Sequence, residues 1–581
     1  SEAVQHQFVS SLANITTAAE NRRALLQDFY ALKKSTLTFA RKTDPRAYLI
    51  VPGENPTRAY RLAERLLLAG VEIEVAEEPL PPLSLNSYRD RAPVRKRLPA
   101  GTLIIPLNQP LRPLINAALE FDPRMKTGFL QWERESLEKG EGTKLYEVTA
   151  WSMLLAFGLE AYTTASLPKV RHHRLSEIPS PRGGVENPRA AYGFLIGYQD
   201  DRAVNMLGSL LEKGYVVRVA EKDFRIEGRS FARGTLLLRR QENPPSLVEA
   251  LEQLAGEEGV SVVGVNTALS EEGPDLGGNE FQLLEPPRIA LLAGPRISSY
   301  SLGSIWHLLD QELGYPHSIL NHTRLSSMDL RKYNLLILPS AGGNPSAYKS
   351  IFDEEQLKRL ADWISDGGTL IAVGSAAAFV ADSSIGLSQV KLRRQALKAL
   401  EAYARAVEQE RRLRRIRVDS LTVWEGGKTS TGTTSPAEKS KQKQDLKRLQ
   451  EEDRRLRLFH PRGAILNVEL NPEHWLSFGV GDGVPAILYT DFAYLSRPPV
   501  QTVGRLADGK HLRLSGLLWP EARERWQNTA YLTREAKGKG QIILFAGEPV
   551  FRSYFYGTGR LLINAIFFGP GFGTRPVVEF R

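Results

Sequence analysis

Residues 333–380, YNLLILPSAGGNPSAYKSIFDEEQLKRLADWISDGGTLIAVGSAAAFV, constrain the fold more than any other stretch of the chain. Leu335–Leu338 is a wholly apolar run halted by Pro339, which reads as a short strand buried on both faces. Phe352, Leu357, Leu360 and Ile364 then recur at helical spacing on one face. Gly367-Gly368 offers the left-handed conformation that ends a helix. Thr369–Val373 is a second buried strand, and it runs directly into Gly374-Ser375-Ala376-Ala377, a strand-to-helix turn. The unit is βαβ, and its turns lie at the carboxyl ends of its strands, where open α/β sheets place ligands and nucleophiles. Ser340 and Gly342, after the first strand, and Gly374 in the second turn are candidate ligand-binding residues. Ser375 is the candidate nucleophile, and it can act only with a base in reach; otherwise it is a structural turn serine.

At 581 residues the chain exceeds one core and should divide into several domains. Residues 1–44 read as one or two helices, with Phe8, Leu12, Ile15, Leu25, Phe29 and Leu32 at three- and four-residue spacings. Residues 45–166 and 167–285 read as two copies of one α/β domain. Ala47–Val51, Asn55–Ala69, Gly70–Ala76 and the turn Ala100-Gly101-Thr102-Leu103 in the first answer Ala191–Ile196, Asp201–Lys213, Gly214–Ala220 and Arg233-Gly234-Thr235-Leu236 in the second. A repeat of order is more specific than any single motif. Pro168 to Pro188 reads as a linker, and Gly142–Glu160 as a helix entered from a polar turn. Residues 286–581 form the last domain, interrupted by a helical hairpin at 388–458 whose tip, Gly426–Ser440, is polar and of low complexity. The fold class expected is α/β, with several parallel-sheet domains.

Charge narrows the functional classes. The net charge is +10, and residues 391–460 alone hold 19 Lys+Arg against 10 Asp+Glu, so the basic character belongs to the insert. The run Arg411-Arg412-Leu413-Arg414-Arg415-Ile416-Arg417 has no interleaved aromatics and reads as a solvated or partner-facing helix rather than a nucleic-acid surface. No run of apolar residues is long enough to span a membrane, and no signal segment opens the chain. The absence of cysteine excludes disulfides, thiolate metal sites and cysteine nucleophiles.

Three stretches carry a resemblance: Tyr146-Glu-Val-Thr-Ala-Trp151, the paired Gly-Thr-Leu strand entries, and Gly538-Lys-Gly-Gln-Ile-Ile-Leu-Phe-Ala-Gly-Glu-Pro-Val-Phe-Arg552 followed by Gly557-Thr558. Together they resemble the long region after the catalytic domain in large bacterial proteins of the carboxypeptidase A-like zinc metallopeptidase family. In those proteins the last part is similar to a class I glutamine amidotransferase domain, of flavodoxin-like fold. The resemblance adds Glu548 and Arg552, after the final strand, to the candidate ligand-binding residues. It also implies a periplasmic or extracellular setting.

The chemistry of both families is missing from the motifs. None of the nine histidines has a glutamate three residues on, so the His-x-x-Glu zinc pair is absent. His307 with Asp310 comes nearest, and a solvated or packed histidine is the simpler reading. The amidotransferase cysteine and its His-x-Glu have no counterparts. His172-His173, Glu473-His474-Trp475 and Gly294–Ser299 read as loop or turn residues before they read as sites. The resulting expectation is a non-catalytic accessory or scaffold region, with no metal or cofactor of its own and zinc only in a separate peptidase domain. That domain, or a companion chain N-terminal to this region, is the expected partner. Alternatives are a self-assembling structural protein, paired through residues 1–40 and 388–458, and a hydrolase using Ser375.

Overall fold

The computed structural model describes residues 2–38, 45–89, 92–341, 346–414 and 446–574. The chain forms two compact units, Ser1–Asp122 with Trp151–Pro179, and Pro123–Ala150 with Ser180–Arg581.

The first unit begins with α1 (Glu2–Glu20) and α2 (Arg22–Ser35). Its sheet contains β1 (Ala47–Val51), β2 (Glu74–Ala76), β3 (Leu80–Ser87), β4 (Val94–Leu98), β5 (Leu103–Pro106), β6 (Glu160–Thr164) and β7 (His172–Arg174), in the order β4-β3-β6-β1-β5-β2-β7. Helices α3 (Pro56–Leu68) and α4 (Arg112–Leu119) belong to this unit, as does the short α6 (Met153–Ala156), while α5 (Thr127–Glu138) belongs to the second.

The second unit contains β8 (Gly184–Glu186), β9 (Gly193–Ile196), α7 (Arg202–Glu212), β10 (Arg218–Ala220), a small hairpin of β11 (Phe224–Ile226) and β12 (Arg229–Phe231), β13 (Leu236–Arg239), α8 (Leu247–Glu258), β14 (Ser261–Val265) and β15 (Phe281–Leu283). Its sheet order is β15-β10-β13-β9-β14-β8.

These two sheets share one topology. β6-β1-β5-β2-β7 in the first corresponds, strand for strand, to β14-β9-β13-β10-β15 in the second. Bonding recurs with it. Gly101 N donates to Ala76 O and Gly234 N to Ala220 O, each at 2.8 Å. Thr102 Oγ1 donates to Pro99 O and Thr235 Oγ1 to Ala232 O. Both glycines have positive φ, +82° and +89°, which a side chain would resist. Gln109 brackets the backbone of Glu72 in one copy, and Asn243 brackets that of Val216 in the other.

The α/β class holds, but the parallel direction expected for these two sheets does not. Their core pairings are antiparallel, and β8 with β14 is the parallel exception. In each copy the strand–helix–strand unit is split, because a later strand (β5 or β13) inserts between its two strands and runs against both. Local periodicity reveals strand and helix but not such an insertion. The stretch 168–188, expected to be a linker, contributes the edge strands β7 and β8. The helix expected over Gly142–Glu160 is largely irregular chain with the short α6 and the start of β6.

The last sheet has twelve strands. β16 (Ile289–Ala293), β17 (His317–Asn321), β18 (Leu335–Leu338), β19 (Thr369–Val373) and β27 (Gly540–Phe545) are parallel, in the spatial order β17-β16-β18-β19-β27. That order is the flavodoxin-like 2-1-3-4-5. Beyond β27 the sheet turns antiparallel through β26 (Ala530–Lys537), β24 (Gln501–Leu506), β21 (Arg462–Leu470) and β22 (Gly483–Tyr489), with β20 (Lys391–Leu392), β23 (Tyr494–Leu495) and β25 (Arg513–Ser515) as branches. The helices are α9 (Ser299–His307), α10 (Ser346–Lys349), α11 (Glu354–Ser365), α12 (Ser375–Val380), α13 (Leu400–Leu413), α14 (Leu446–Leu458), α15 (Pro520–Trp526) and α16 (Tyr556–Phe567). α11 starts at a capping box between Asp353 and Gln356. No helix among the described residues is long and apolar enough to cross a membrane.

The insert is shorter in helix than its sequence suggested: β20 and short 3-10 turns occupy 391–399 before α13 begins. Its tip, 415–445, lies outside the described residues. The hairpin arms pack into the unit. Tyr403, Val407 and Leu456 are buried, and Asp453 is buried with them.

Candidate functional site

Four loops at the carboxyl ends of β16, β18, β19 and β27 bring together Ser301, Ser340, Ser375 and Glu548. In a 2-1-3-4-5 sheet this is where the strand order reverses and a crevice is expected. Strand β19 ends at Gly374, which has φ +56° and ψ −116°. This is the strained elbow conformation from which an α/β enzyme projects its nucleophile. Glycine adopts it without steric cost, and glycine leaves the nucleophile position without a side chain. A Cβ there would lie 3.1 Å from Ser340 Oγ and 3.4 Å from Glu548 Oε1.

Ser375 is the next residue, the first of α12, and it is buried. Its hydroxyl accepts from Ala341 N at 2.7 Å and lies 3.0 Å from Ser340 Oγ. Ser340 Oγ in turn accepts from Ser375 N at 3.3 Å. The two serines therefore staple the loop after β18 to the elbow after β19. Tyr348 OH donates to Pro339 O at 2.6 Å and Tyr494 OH to Gly374 O at 2.8 Å, which fixes both loops from below.

Glu548 follows β27. Its Oε2 accepts from Ser301 Oγ at 2.8 Å, and Ser301 Oγ accepts from Ser340 N at 2.9 Å. Ser301 sits in the first turn of α9, whose N-cap is Ser298. Burial pushes the Glu548 carboxyl up to about 7, against the lowering effect of the Ser301 and Ser340 hydroxyls. Burial, reinforced by the charge of Glu548, also pushes Tyr348 and Tyr531 up. No cationic side chain among the described residues acts on Glu548. The cluster can hold or release one proton near neutral pH. Ser375 has no imidazole or carboxylate bonded to it directly among the described residues; Glu548 reaches it only through the Ser340 hydroxyl.

The remaining candidates fall elsewhere. Gly342 lies outside the described residues. Arg552 adopts positive φ and donates to Glu147 Oε1 at 2.7 Å, half-exposed, while its guanidinium lies over the Phe551 ring. His307 ends α9 and pairs with Glu312 across a π-turn at 3.6 Å rather than with Asp310. His172 and His173 are exposed on β7 and face Glu74 and Glu77. His474 caps a short 3-10 turn: its Nδ1 accepts from Leu476 N, and burial pushes its ring down to about 4. Among the described residues no group of three His, Asp or Glu side chains could hold a metal ion. Sequence reasoning missed Ser301; its signal was the Ser298-x-x-Ser301 pattern at a helix start, which reads as a cap and not as a carboxylate partner.

No family model and no curated protein matches the chain. Among solved structures, a cytoplasmic protein of Salmonella typhimurium LT2 matches at 11% identity, covering 48% of this chain and 100% of its own, with a TM-score of 0.26. A Thermoplasma acidophilum protein named as a GMP synthase component matches at 10% identity, over 48% of this chain and 96% of its own, with a TM-score of 0.25. A glutamine amidotransferase of Thermotoga maritima matches at 8% identity, over 45% of this chain and 74% of its own, with a TM-score of 0.24. The last two are weak likenesses to glutamine amidotransferase-like structures, and none of the three carries anything about function.

Proposed function

We propose that this chain is a non-catalytic accessory and scaffold region of a zinc-carboxypeptidase-like protein, acting outside the cytoplasm beside a peptidase domain that holds the zinc. The observation that supports the non-catalytic half is Gly374. The elbow retains the backbone geometry of a nucleophile position, yet the residue there has no side chain. Its neighbour Ser375 is spent on loop bonds to Ala341 and Ser340. The peptidase parentage rests on the three resembling stretches, above all Gly538–Arg552.

The test is direct. The purified chain should carry no stoichiometric zinc and show no carboxypeptidase, glutaminase or esterase turnover. Turnover abolished by Ser375→Ala would establish the hydrolase reading instead. In the source genome, a His-x-x-Glu domain should be encoded in frame with this chain or beside it; a genome holding neither removes the peptidase parentage.

A further inference from the structure

Asn21 alone separates α1 from α2, and its backbone (φ −99°, ψ 10°) departs from the helical values without breaking the bond ladder. The Asn21 amide still bonds Thr17 O, and the Leu25 amide still bonds Asn21 O. Neither helix has a single buried residue. The carboxyl end alone is tied down: Thr36 Oγ1 donates to Gln109 O, Lys33 Nζ to Pro110 O, and Arg112 to the carbonyls of Ser35 and Thr38. Everything before it stands in solvent.

Along this arm Phe8, Leu12, Ile15, Ala19, Leu26 and Phe29 fall at alternating four- and three-residue steps, with Arg22 filling the one polar step. This is a seven-residue repeat of the kind that packs against another helix. Phe8, Leu12, Ile15, Leu26 and Phe29 are 53–67% exposed. Counting their flanking apolar neighbours, ten large hydrophobic residues of the arm are more than half exposed. That is more exposed apolar surface than a single chain ordinarily leaves uncovered. A helix that touches nothing is marginal in water, so this arm requires a covering surface.

Charge decides what covers it. The amino end carries Glu2 and the carboxyl end Lys33 and Lys34, with Asp28 one turn before them and His6 one turn after Glu2. Laid antiparallel on an identical helix, the arm sets Asp28 opposite His6, brings Glu2 within a turn of Lys33 and Lys34 at both ends, and sets the one polar seam residue, Arg22, opposite Leu12. It also sets Phe8 opposite Leu26 and Ile15 opposite Ala19, and it opposes the two helix dipoles. A parallel pairing would instead set every charge against its like.

We propose that α1–α2 is a self-association arm that pairs, antiparallel and two-fold symmetric, with the same helix of a second copy of this chain. It deepens the scaffold reading by naming the partner surface, and it stands whether or not the chain proves catalytic.

The test is sedimentation equilibrium of the full chain, with Phe8→Glu/Ile15→Glu as the variant. The wild-type chain should give twice the 64.8 kDa chain mass, or an even multiple of it, and the variant the single-chain mass with unchanged far-ultraviolet circular dichroism of the sheet units. A wild-type chain that remains single at micromolar concentration overturns the proposal, as does a variant that remains paired. Since the chain has no cysteine, direction can be read by cross-linking. Ile15→Cys mixed with Ala19→Cys should form a mixed disulfide dimer, with little from either variant alone. Efficient Ile15→Cys self-linking would show a parallel pair and overturn the antiparallel arrangement.

Discussion

The arm α1–α2 and the hairpin α13–α14 look alike in sequence: both are long, both are amphipathic, and both sit beside sheet domains. In the structure they differ in what their charges do. On the arm every charge but Lys33 is exposed, and no residue of either helix is buried. In the hairpin the charges reach inward. Glu410 of α13 accepts from Arg505 at 2.7 and 3.0 Å, and that guanidinium is almost wholly buried. Asp453 of α14 accepts from Arg525 Nε at 3.1 Å, with Arg393 and Arg457 at 3.6 and 3.4 Å. Arg525 is 1% exposed, and burial pushes it down to about 10. The hairpin base is therefore part of the core, held by carboxylates that neutralise arginines buried in the sheet domain. The lesson is that an amphipathic stripe says a helix needs a partner, whereas buried ion pairs show that the partner is already present.

Breaking that contrast at its strongest point gives the largest effect. Asp453→Ala should destabilise the second unit by about 3–5 kcal/mol, because it leaves Arg525 buried and uncompensated. Denaturant unfolding monitored by tryptophan fluorescence measures it. By the same reasoning deletion of residues 392–456 should unfold the unit. A loss under about 1 kcal/mol for Asp453→Ala would mean the hairpin base is dispensable after all.

Glu548 sharpens the comparison, because it is a buried carboxylate in the same unit with hydroxyls but no arginine. Its folded value, about 7, lies above the ordinary carboxylate value. The folded state therefore binds more protons than the unfolded one between about pH 4.5 and 7, and stability falls as pH rises through that window. The cost is absent below it and complete above it, on the order of 3 kcal/mol. Glu548→Gln should stabilise the unit by that order at pH 8 and change little at pH 4.5. A variant whose pH profile matches wild type would mean that Glu548 is solvated.

The same residues show what could be read in advance. The strands at 335–338 and 369–373 were legible because apolar runs stop at Pro339 and Gly374, and the recurring turn that both sheets share was legible because Gly101 and Gly234 recur before matching Thr-Leu pairs. The antiparallel insertion of β5 and β13 was not, since strand direction leaves no mark on local periodicity. At the site, Ser340, Gly374 and Ser375, read from the βαβ unit, and Glu548, read from the resemblance, come together from sequence-distant loops. Arg552 does not join them; its backbone turns left-handed and its charge goes to Glu147, 405 residues earlier, in the Tyr146–Trp151 stretch.

The repeated turn supplies a smaller, paired effect. Thr102 and Thr235 make the same buried hydroxyl bond in corresponding places. Valine at either position removes one bond while keeping the shape, at about 1 kcal/mol. Thr102→Val should act on the first unit alone and Thr235→Val on the second alone, which differential scanning calorimetry can resolve as separate shifts. Equal shifts of both transitions by either variant would mean that the two units unfold together.

The smallest effect belongs to the arm. Leu12 is half-exposed in the structure, so charging it removes no intrachain contact, and surface substitutions of this kind stay within about 0.5 kcal/mol. Leu12→Glu, measured at a dilution where the chain is single, should leave both unfolding transitions where they are. At concentrations where copies pair, the same substitution should lower the concentration dependence of the helical signal, because association by mass action stabilises only what it covers. The hairpin has the opposite signature, a large loss at every concentration. If Leu12→Glu costs stability at high dilution, the arm folds back on its own unit, and the distinction between a helix seeking a partner and a helix already holding one disappears.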